Sequence, residues 1–260
     1  MYINLYGIQN EVGHILKIFS FWFIYVALVV TTLRQPFSML AQANFEIDNY
    51  ALQLEAAIKG IFFAVSRMVE YRDPYTSGHE HRVGLIAKAI GKELGWSEAR
   101  CETLELMGLV HDIGKIAIPA EILSKPSRLT SIEMALIKEH PKAGYEILKD
   151  IKFNAPVAEV IYQHHERLDG SGYPRGLKDK EILPETRIIS VADVLEAMSS
   201  HRPYRAALGI KRAIKEINRG RGIEYDAEVV DAALKVIKNN HNKLPACDDT
   251  NTTFERHHLQ

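Results

Sequence analysis

The most restrictive feature of this 260-residue chain is a polar pair, His111 and Asp112, at the end of an apolar helical pattern. Apolar residues recur three and four positions apart before the pair, as on the buried face of a helix: Leu104, Leu106, Met107, Leu109 and Val110. Gly114 is expected to end that helix, because glycine commonly follows a helix C-terminus. Burying a carboxylate beside a histidine costs free energy unless a hydrogen-bond partner or a cation compensates. The fold must therefore bring such a partner, or a metal ion, to the pair.

Five of the eleven histidines fall at predicted helix ends or on inward-facing stripes: His79, His111, His140, His164 and His165. A lone histidine on an apolar face is more often a hydrogen-bonded core residue than a metal ligand. These five, however, are accompanied by two carboxylates placed in the same manner, Asp112 and Asp193. Neutral imidazoles and carboxylates form a ligand set for iron, manganese or zinc. Six or seven such ligands exceed the four of a tetrahedral zinc site, which favours two ions.

Asp112 is a candidate bridge between two such ions. A carboxylate in that position can serve both ions and leave a shared hydroxide between them as the nucleophile. Two metal ions a few ångströms apart suit in-line displacement at phosphorus. The pattern therefore indicates the hydrolysis of a phosphate ester.

The body of the chain has helical periodicity, with no alternating strand pattern of useful length and no internal repeat. Capping boxes, in which a serine or threonine precedes a glutamate by three residues, are predicted at Ser77–Glu80 and Thr130–Glu133. Pro141 is expected to break the second of these helices directly after His140. Residues 119–126 are predicted to be a loop. Further helices are predicted over 44–72, 184–198, 211–218 and 227–238, with another opening at Pro156. The sequence therefore predicts an all-α fold.

The N-terminal region contains an uncharged run from Ile18 to Leu33 between Lys17 and Arg34. Its sixteen residues are slightly fewer than the ~20 of a typical spanning helix. Two further apolar residues behind a snorkelling Lys17 bring the run close to that length. A signal peptide is disfavoured because no small-residue cleavage site follows, and a buried helix is the other alternative. Residues 15–33 are therefore a candidate membrane anchor.

Composition excludes some partners. The formal net charge of −1 gives no global basic field, so no nucleic acid polymer is expected to bind. The two cysteines, Cys101 and Cys247, lie far apart without metal-binding spacing, and Cys101 is expected in the core. This cysteine usage is typical of a reducing compartment.

Several motifs occur together along the chain. The order of His79, His111-Asp112 and Asp193 resembles that of the HD superfamily of metal-dependent phosphohydrolases. Further residues and segments resemble the HD-GYP subfamily: His140, the pair His164-His165, HDIGKIAIP, KPSRLT, HHERLDGSGYPRGL and VADVLEAMSSHRPYR. The resemblance covers residues 69–236. It implies an all-α, HD-type helical bundle with a metal centre in its core that hydrolyses cyclic di-GMP, a bacterial second messenger.

The resemblance also implies a metal-binding role for individual residues. One metal would be held by His79, His111, Asp112 and Asp193. Asp112 would bridge to a second metal, whose other ligands would be His140, His164 and His165.

Substrate contacts follow from the same resemblance. Lys115, one turn from His111, would meet the scissile phosphate and offset the charge that develops in the transition state. Arg202 and Arg205 would clamp phosphate oxygens, since guanidinium groups suit that role, although a solvated basic face has the same composition. Tyr173, in the Gly-Tyr-Pro loop, would shape the pocket wall, although a plain structural turn uses the same residue types.

Two departures from the family pattern affect these expectations. Members that bind a third metal carry a glutamate four residues before the first histidine, and here that position is Tyr75. We therefore predict two divalent transition-metal ions, iron or manganese, and linear pGpG as the product, with further hydrolysis to GMP left open. Leu168 and Glu196 stand where many members have tryptophan and aspartate. Neither is a ligand position, so no loss of activity is expected from them.

The predicted organisation has four parts. An apolar N-terminal segment (1–43) is followed by a linker helix (44–72), a catalytic domain (73–240) and a polar tail (241–260). The catalytic domain is expected in the cytoplasm, anchored to the inner membrane if residues 15–33 span it. The N-terminal helix is also a candidate homodimer contact.

Two other functions stay open. The chain could be an HD phosphohydrolase of another nucleotide, but the complete Gly-Tyr-Pro loop and the additional histidines argue against this. It could also be a non-catalytic module that binds cyclic di-GMP or a partner protein. Every expected ligand of a two-metal site is present, which favours catalysis, although intact ligands do not measure turnover.

Overall fold

The computed structural model describes residues 5–73, 78–125, 127–200, 209–241 and 243–245. Across these residues the regular structure is helical, with one isolated bridge between Arg221 and Tyr225 and no strand. The predicted all-α class is therefore confirmed. The α-helices are α1 (Leu5–Val29), α2 (Gln35–Arg72), α3 (His79–Glu93), α4 (Glu98–Val110), α5 (Ala120–Leu123), α6 (Ser131–Ile137), α7 (His140–Leu148), α8 (Val157–Gln163), α9 (Pro184–Ser199), α10 (Ile210–Arg219) and α11 (Ala227–Asn239). A π-helical turn covers Val30–Arg34, and 3₁₀ turns cover Ile113–Ala117 and Asp179–Glu181.

The first of two compact units, Met1–Ile58, contains α1, the π-helical turn and the first part of α2. Its helical run is long and apolar enough to cross a membrane. Helix α2 begins at Gln35, nine residues before its predicted start at Asn44. Pro36 lies just after the π-helical turn Val30–Arg34 within a continuous helical run, and local π-helical adjustments accommodate proline in such helices. The predicted domain boundaries after residues 43, 72 and 240 stay a prediction.

The second unit, Lys59–Gln260, has a core in which α3 packs against α4, α9 and α11. Its fully buried apolar side chains include Val83, Ile86, Ile90, Leu104, Met107, Ile161, Ile188, Leu195 and Val230. Cys101 is buried, as predicted. Helices α3 and α4 cross closely at two glycines, since a Cβ atom on Gly108 would lie 2.4 Å from the Gly84 Cα. Because of this crossing, the end of α4 lies beside the start of α3. His111 and Asp112, which follow α4, therefore lie there too.

Gly114 has a different role from the predicted one. Helix α4 ends at Val110, before the polar pair, and Gly114 lies inside the 3₁₀ turn Ile113–Ala117. The prediction that it ends the helix is therefore wrong. A Cβ atom at this position would lie 1.9 Å from the carbonyl oxygen of His140, so only glycine allows the turn to pack against α7. The contact brings His140 next to His111 and Asp112.

The helix starts around the core also differ in part from prediction. The Thr130–Glu133 capping box is confirmed. The preceding loop contains the short α5, and α6 ends at Ile137 rather than at His140. His140 instead opens α7, where Pro141 occupies the first turn and its missing N–H needs no helical partner. Helix α3 is capped by Gly78 at a φ of 69°, and Ser77 of the other predicted capping box lies outside the described residues.

Candidate metal centre

Helix ends carry most of the candidate ligands to one place. His79 opens α3, His140 opens α7, and His111 and the pair His164-His165 directly follow α4 and α8. Asp193 comes from the middle of α9. The ligand atoms fall into two groups, each within 4.8 Å: the first group is His79, His111 and Asp193, and the second group is Asp112, His140, His164 and His165. The structure thus brings together all seven residues that the sequence predicted as metal ligands.

Asp112 lies between the two groups. Its Oδ1 atom is 3.1 Å from His140 Nε2 in the second group. Its Oδ2 atom is 3.4 Å from His111 Nε2 in the first group and 2.8 Å from Lys115 Nζ. One carboxylate therefore presents one oxygen to each group, which is the arrangement that a bridging ligand needs.

Backbone carbonyls set the orientation of three of the imidazole rings. The Nδ1 atoms of His111, His140 and His164 donate to carbonyl oxygens three residues earlier, at 2.7, 2.7 and 2.6 Å. Because a ring nitrogen that donates to a carbonyl carries a proton, each Nε2 atom presents a lone pair to the interior when its ring is neutral. This is the orientation of a metal-ligating histidine.

The Nε2 lone pairs lack donors. His140 Nε2 and His164 Nε2 are 3.2 Å apart, so two lone pairs face each other. His111 Nε2 is buried and has no hydrogen-bond partner among the described residues. Buried acceptors that face only other acceptors are costly unless a proton or a cation lies between them. The donor set therefore fits divalent metal ions.

Burial and neighbouring charges set the protonation of these groups. Burial, together with His140 and His111, lowers the pKa of His164 to about 3, so this ring is neutral, as a ligand must be. Burial opposes ionisation of Asp112, but Lys115 and His111 outweigh it and hold the pKa of Asp112 well below its usual range. Burial would also lower the pKa of His79, but hydrogen bonds to Asp193 and Glu196 raise it to about 10. Without metal, His79 thus carries the positive charge that a metal ion would supply.

Glu196 contacts a candidate ligand, although the sequence pattern assigned it no role in the metal site. Helix α3 begins at His79, so no earlier turn of that helix can offer a carbonyl to its Nδ1 atom. Glu196 takes this role: it accepts a hydrogen bond from His79 Nδ1 and another from Arg82 Nε at 2.6 Å. The signal was a glutamate three residues after Asp193, on the same helix face. The expectation that glutamate instead of aspartate at position 196 causes no loss of activity stays a prediction.

Asp73 is a second residue near the site to which the sequence pattern assigned no role. Its carboxylate is buried, and Lys115 Nζ lies 3.2 Å from Asp73 Oδ2. Burial opposes the charge on Lys115, but Asp112 and Asp73 outweigh it and raise the pKa of this lysine. Lys115 therefore stays charged at the edge of the candidate site.

The Gly-Tyr-Pro loop lies beside the second group. The ring centroids of Tyr173 and His165 are 4.7 Å apart. Gly172 is required by close packing, since a Cβ atom there would lie 2.4 Å from the Glu166 Cα. The buried Glu166 carboxylate, also missed from sequence, accepts hydrogen bonds from the backbone N–H groups of Arg175 and Leu177. Tyr173 is thus held against the candidate metal ligands.

Three predicted residues lie outside the described part of the chain. These are Arg202 and Arg205, predicted to bind phosphate, and Tyr75, from which the number of metals was predicted. Their roles stay predictions.

Two family models match the chain. Residues 64–229 match an HD domain, and residues 1–36 match a membrane-associated sensor domain. The second match indicates a membrane-associated N-terminal segment, in agreement with the apolar run found in the sequence.

Known proteins are similar over the same region. The chain is 40% identical over 195 residues to a cyclic di-GMP phosphodiesterase of Thermotoga maritima, covering 74% of this chain and 52% of that protein. It is 34% identical over 212 residues to a 3'3'-cGAMP-specific phosphodiesterase of Vibrio cholerae, covering 80% and 45%. The chain thus spans about half the length of these curated relatives.

A solved structure supports the fold. The structure of an HDG"Y"P protein from Bdellovibrio bacteriovorus matches with a TM-score of 0.52 at 23% identity, covering 62% of this chain and 51% of that one. Similarity at this level of identity concerns the fold alone. Since the HD domain model covers more than half of the sequence, the chain belongs to the HD domain family, and its motifs place it with the HD-GYP proteins.

Proposed function

We propose that this chain is a metal-dependent phosphodiesterase that hydrolyses cyclic di-GMP to linear pGpG. The observation that carries the proposal is the position of Asp112, with one oxygen toward each of two groups of candidate ligands. A paired-metal site of this kind suits in-line displacement at phosphorus. The names of the similar proteins, cyclic di-GMP and 3'3'-cGAMP phosphodiesterases, support a cyclic dinucleotide as the substrate class.

The proposed cofactor is a pair of divalent ions, iron or manganese. The first ion would be held by His79, His111, Asp193 and Asp112, and the second by Asp112, His140, His164 and His165. Imidazole and carboxylate ligands in this number suit iron and manganese better than a four-coordinate zinc. Bound there, the ions would polarise a phosphoryl oxygen and lower the pKa of water.

Lys115 would act on the substrate rather than on the metals. It is held by ion pairs with Asp112 and Asp73, and its side chain is 13% exposed, so it is fixed yet reachable. A positive charge fixed before the reaction stabilises the negative charge that develops on the phosphate oxygens. Tyr173, beside His165, would form the pocket wall against which the dinucleotide lies, and Arg202 and Arg205 would bind its phosphates.

The catalytic unit would lie on the cytoplasmic side of the membrane, where cyclic dinucleotides are made. The membrane-associated segment would then hold the enzyme at the inner membrane.

We expect Asp112→Ala to lose both metal ions and all turnover, because one carboxylate serves both groups. Metal content is measured by mass spectrometry, and hydrolysis by chromatography of cyclic di-GMP and 3'3'-cGAMP incubated with the full chain in detergent. Asp231→Ala is the control, since Asp231 pairs with Arg221 on the surface. A wild-type chain that binds metal but hydrolyses neither dinucleotide would instead be a non-catalytic binding module.

Lys115→Ala should lower kcat while both metal ions remain bound. The loss is expected to be about 10²-fold, the effect of removing one transition-state donor. Lys149→Ala removes an exposed lysine that pairs with Glu146 and should leave turnover unchanged. Loss of metal from the Lys115 variant would contradict a role toward phosphate.

Glu196→Gln should weaken the binding of one metal ion and spare the other. The amide keeps the size of the side chain but removes the negative charge that orients and polarises His79, and losing such a partner costs about 10–100-fold in metal affinity. Titration of the metal-free protein should show one affinity lowered by this factor. Glu185→Gln, on the same helix but paired with Arg100, is the matched control. Equal weakening of both ions would refute a specific role of Glu196 toward the first group.

A further inference from the structure

Apolar side chains recur along α2 with the spacing of a coiled coil. Leu40, Ile47 and Leu54 follow one another at intervals of seven residues. A second series has the same interval and begins three residues earlier: Phe37, Asn44, Ala51 and Ile58. Alternating spacings of three and four residues define the a and d positions of a heptad repeat. In this register the second series occupies a and the first series occupies d. We call these seven residues the α2 seam.

The seam faces solvent in the first unit. Every side chain from residue 35 to residue 58 is exposed, and the large apolar members are 43–69% exposed: Phe37, Leu40, Ile47, Leu54 and Ile58. A contiguous exposed apolar stripe of this length marks an interaction surface. Polar residues lie opposite the seam, with Gln42 donating to Glu46 at 3.2 Å and Asn49 one heptad after Gln42. Exposed apolar side chains also occur at outer positions: Met39, Phe45 and Leu52.

The residues at and beside the seam favour a second copy of this chain in parallel orientation. Asn44 occupies an a position, where a single asparagine specifies pairing register at some cost in stability. Asp48 and Glu55 occupy e positions. In an antiparallel pair, e positions of the two helices face each other and acidic side chains would meet. In a parallel pair, e faces g, so Glu55 would lie opposite Tyr50 of the other copy, without like-charge repulsion.

The place of the seam in the chain supports the same orientation. The sensor-domain match ends at residue 36, and the seam begins at Phe37. Two copies inserted in one membrane would leave it in the same direction, which brings their seams together in parallel. We propose that residues 37–58 pair with the same residues of a second copy as a parallel two-stranded coiled coil. The pairing rests on the proposed membrane attachment but not on turnover.

Disulfide cross-linking tests the pairing in the full-length chain in its membrane. Single cysteines are placed in a Cys101→Ala, Cys247→Ala background, at d positions in Ile47→Cys and Leu54→Cys. The matched controls are Asn49→Cys and Gln53→Cys, at outer positions of the same helix. Identical d residues of a parallel coiled coil are adjacent, so mild oxidation should yield covalent dimers for both seam variants and few for both controls.

Three outcomes would overturn the proposal. Absence of dimers at both seam positions would mean that a lipid surface, an antiparallel copy or another protein covers the stripe. Equal cross-linking at seam and outer positions would mean random collision. Cross-linking at the outer positions alone would place the interface on the other face.

Metal content of each variant shows that its catalytic unit is folded. Cross-linking at the seam without hydrolysis of cyclic dinucleotides would overturn the proposed function and leave the pairing standing.

Discussion

The crowding of hydrogen-bond acceptors around Asp112 is the constraint on which the rest of the site depends. Two carboxylates and the Nε2 lone pairs of oriented imidazoles converge in a buried volume, and His140 and His164 present theirs to each other at 3.2 Å. Neutral imidazoles in this orientation offer only acceptors to the carboxylates, so the arrangement needs positive charge. Without metal, the protonated His79 supplies part of that charge. Divalent cations would supply that charge, and the position of Asp112, with one oxygen toward each group, supports the proposal that there are two.

The fold meets this constraint by controlling helix ends. Glycine contacts let α3 cross α4 and let the turn after α4 reach α7, which brings the starts and ends of helices to one point. A histidine after a helix can donate Nδ1 to a carbonyl of the last turn, as His111 and His164 do. His140 opens α7 and still donates Nδ1 to the carbonyl of Ile137 at the end of α6. His79 differs from these three histidines, because its Nδ1 atom donates to the Glu196 carboxylate. The two proposed metal ions should therefore differ in how strongly their binding depends on Glu196.

Much of the site was predictable because its ligands lie in recognisable local patterns. Adjacent polar residues at the end of an apolar helix and a histidine pair after another helix mark the candidate ligands in the sequence alone. Asp73 and Glu196 could not be assigned in this way, since their roles depend on contacts with residues 42 and 117 positions away. Gly114 was misassigned because its role also depends on a distant residue, His140. A glycine that ends a helix and a glycine that allows a close backbone contact look the same in the sequence.

The central claim is that one carboxylate joins two metal ions, and magnetic coupling tests it most directly. The full-length chain is freed of metal, reconstituted with Mn²⁺ and studied by electron paramagnetic resonance alongside metal analysis. Two ions per chain with an exchange-coupled spectrum are expected, because ions that share the Asp112 carboxylate interact magnetically. One ion per chain, or two ions with the spectrum of isolated Mn²⁺, would contradict this role of Asp112.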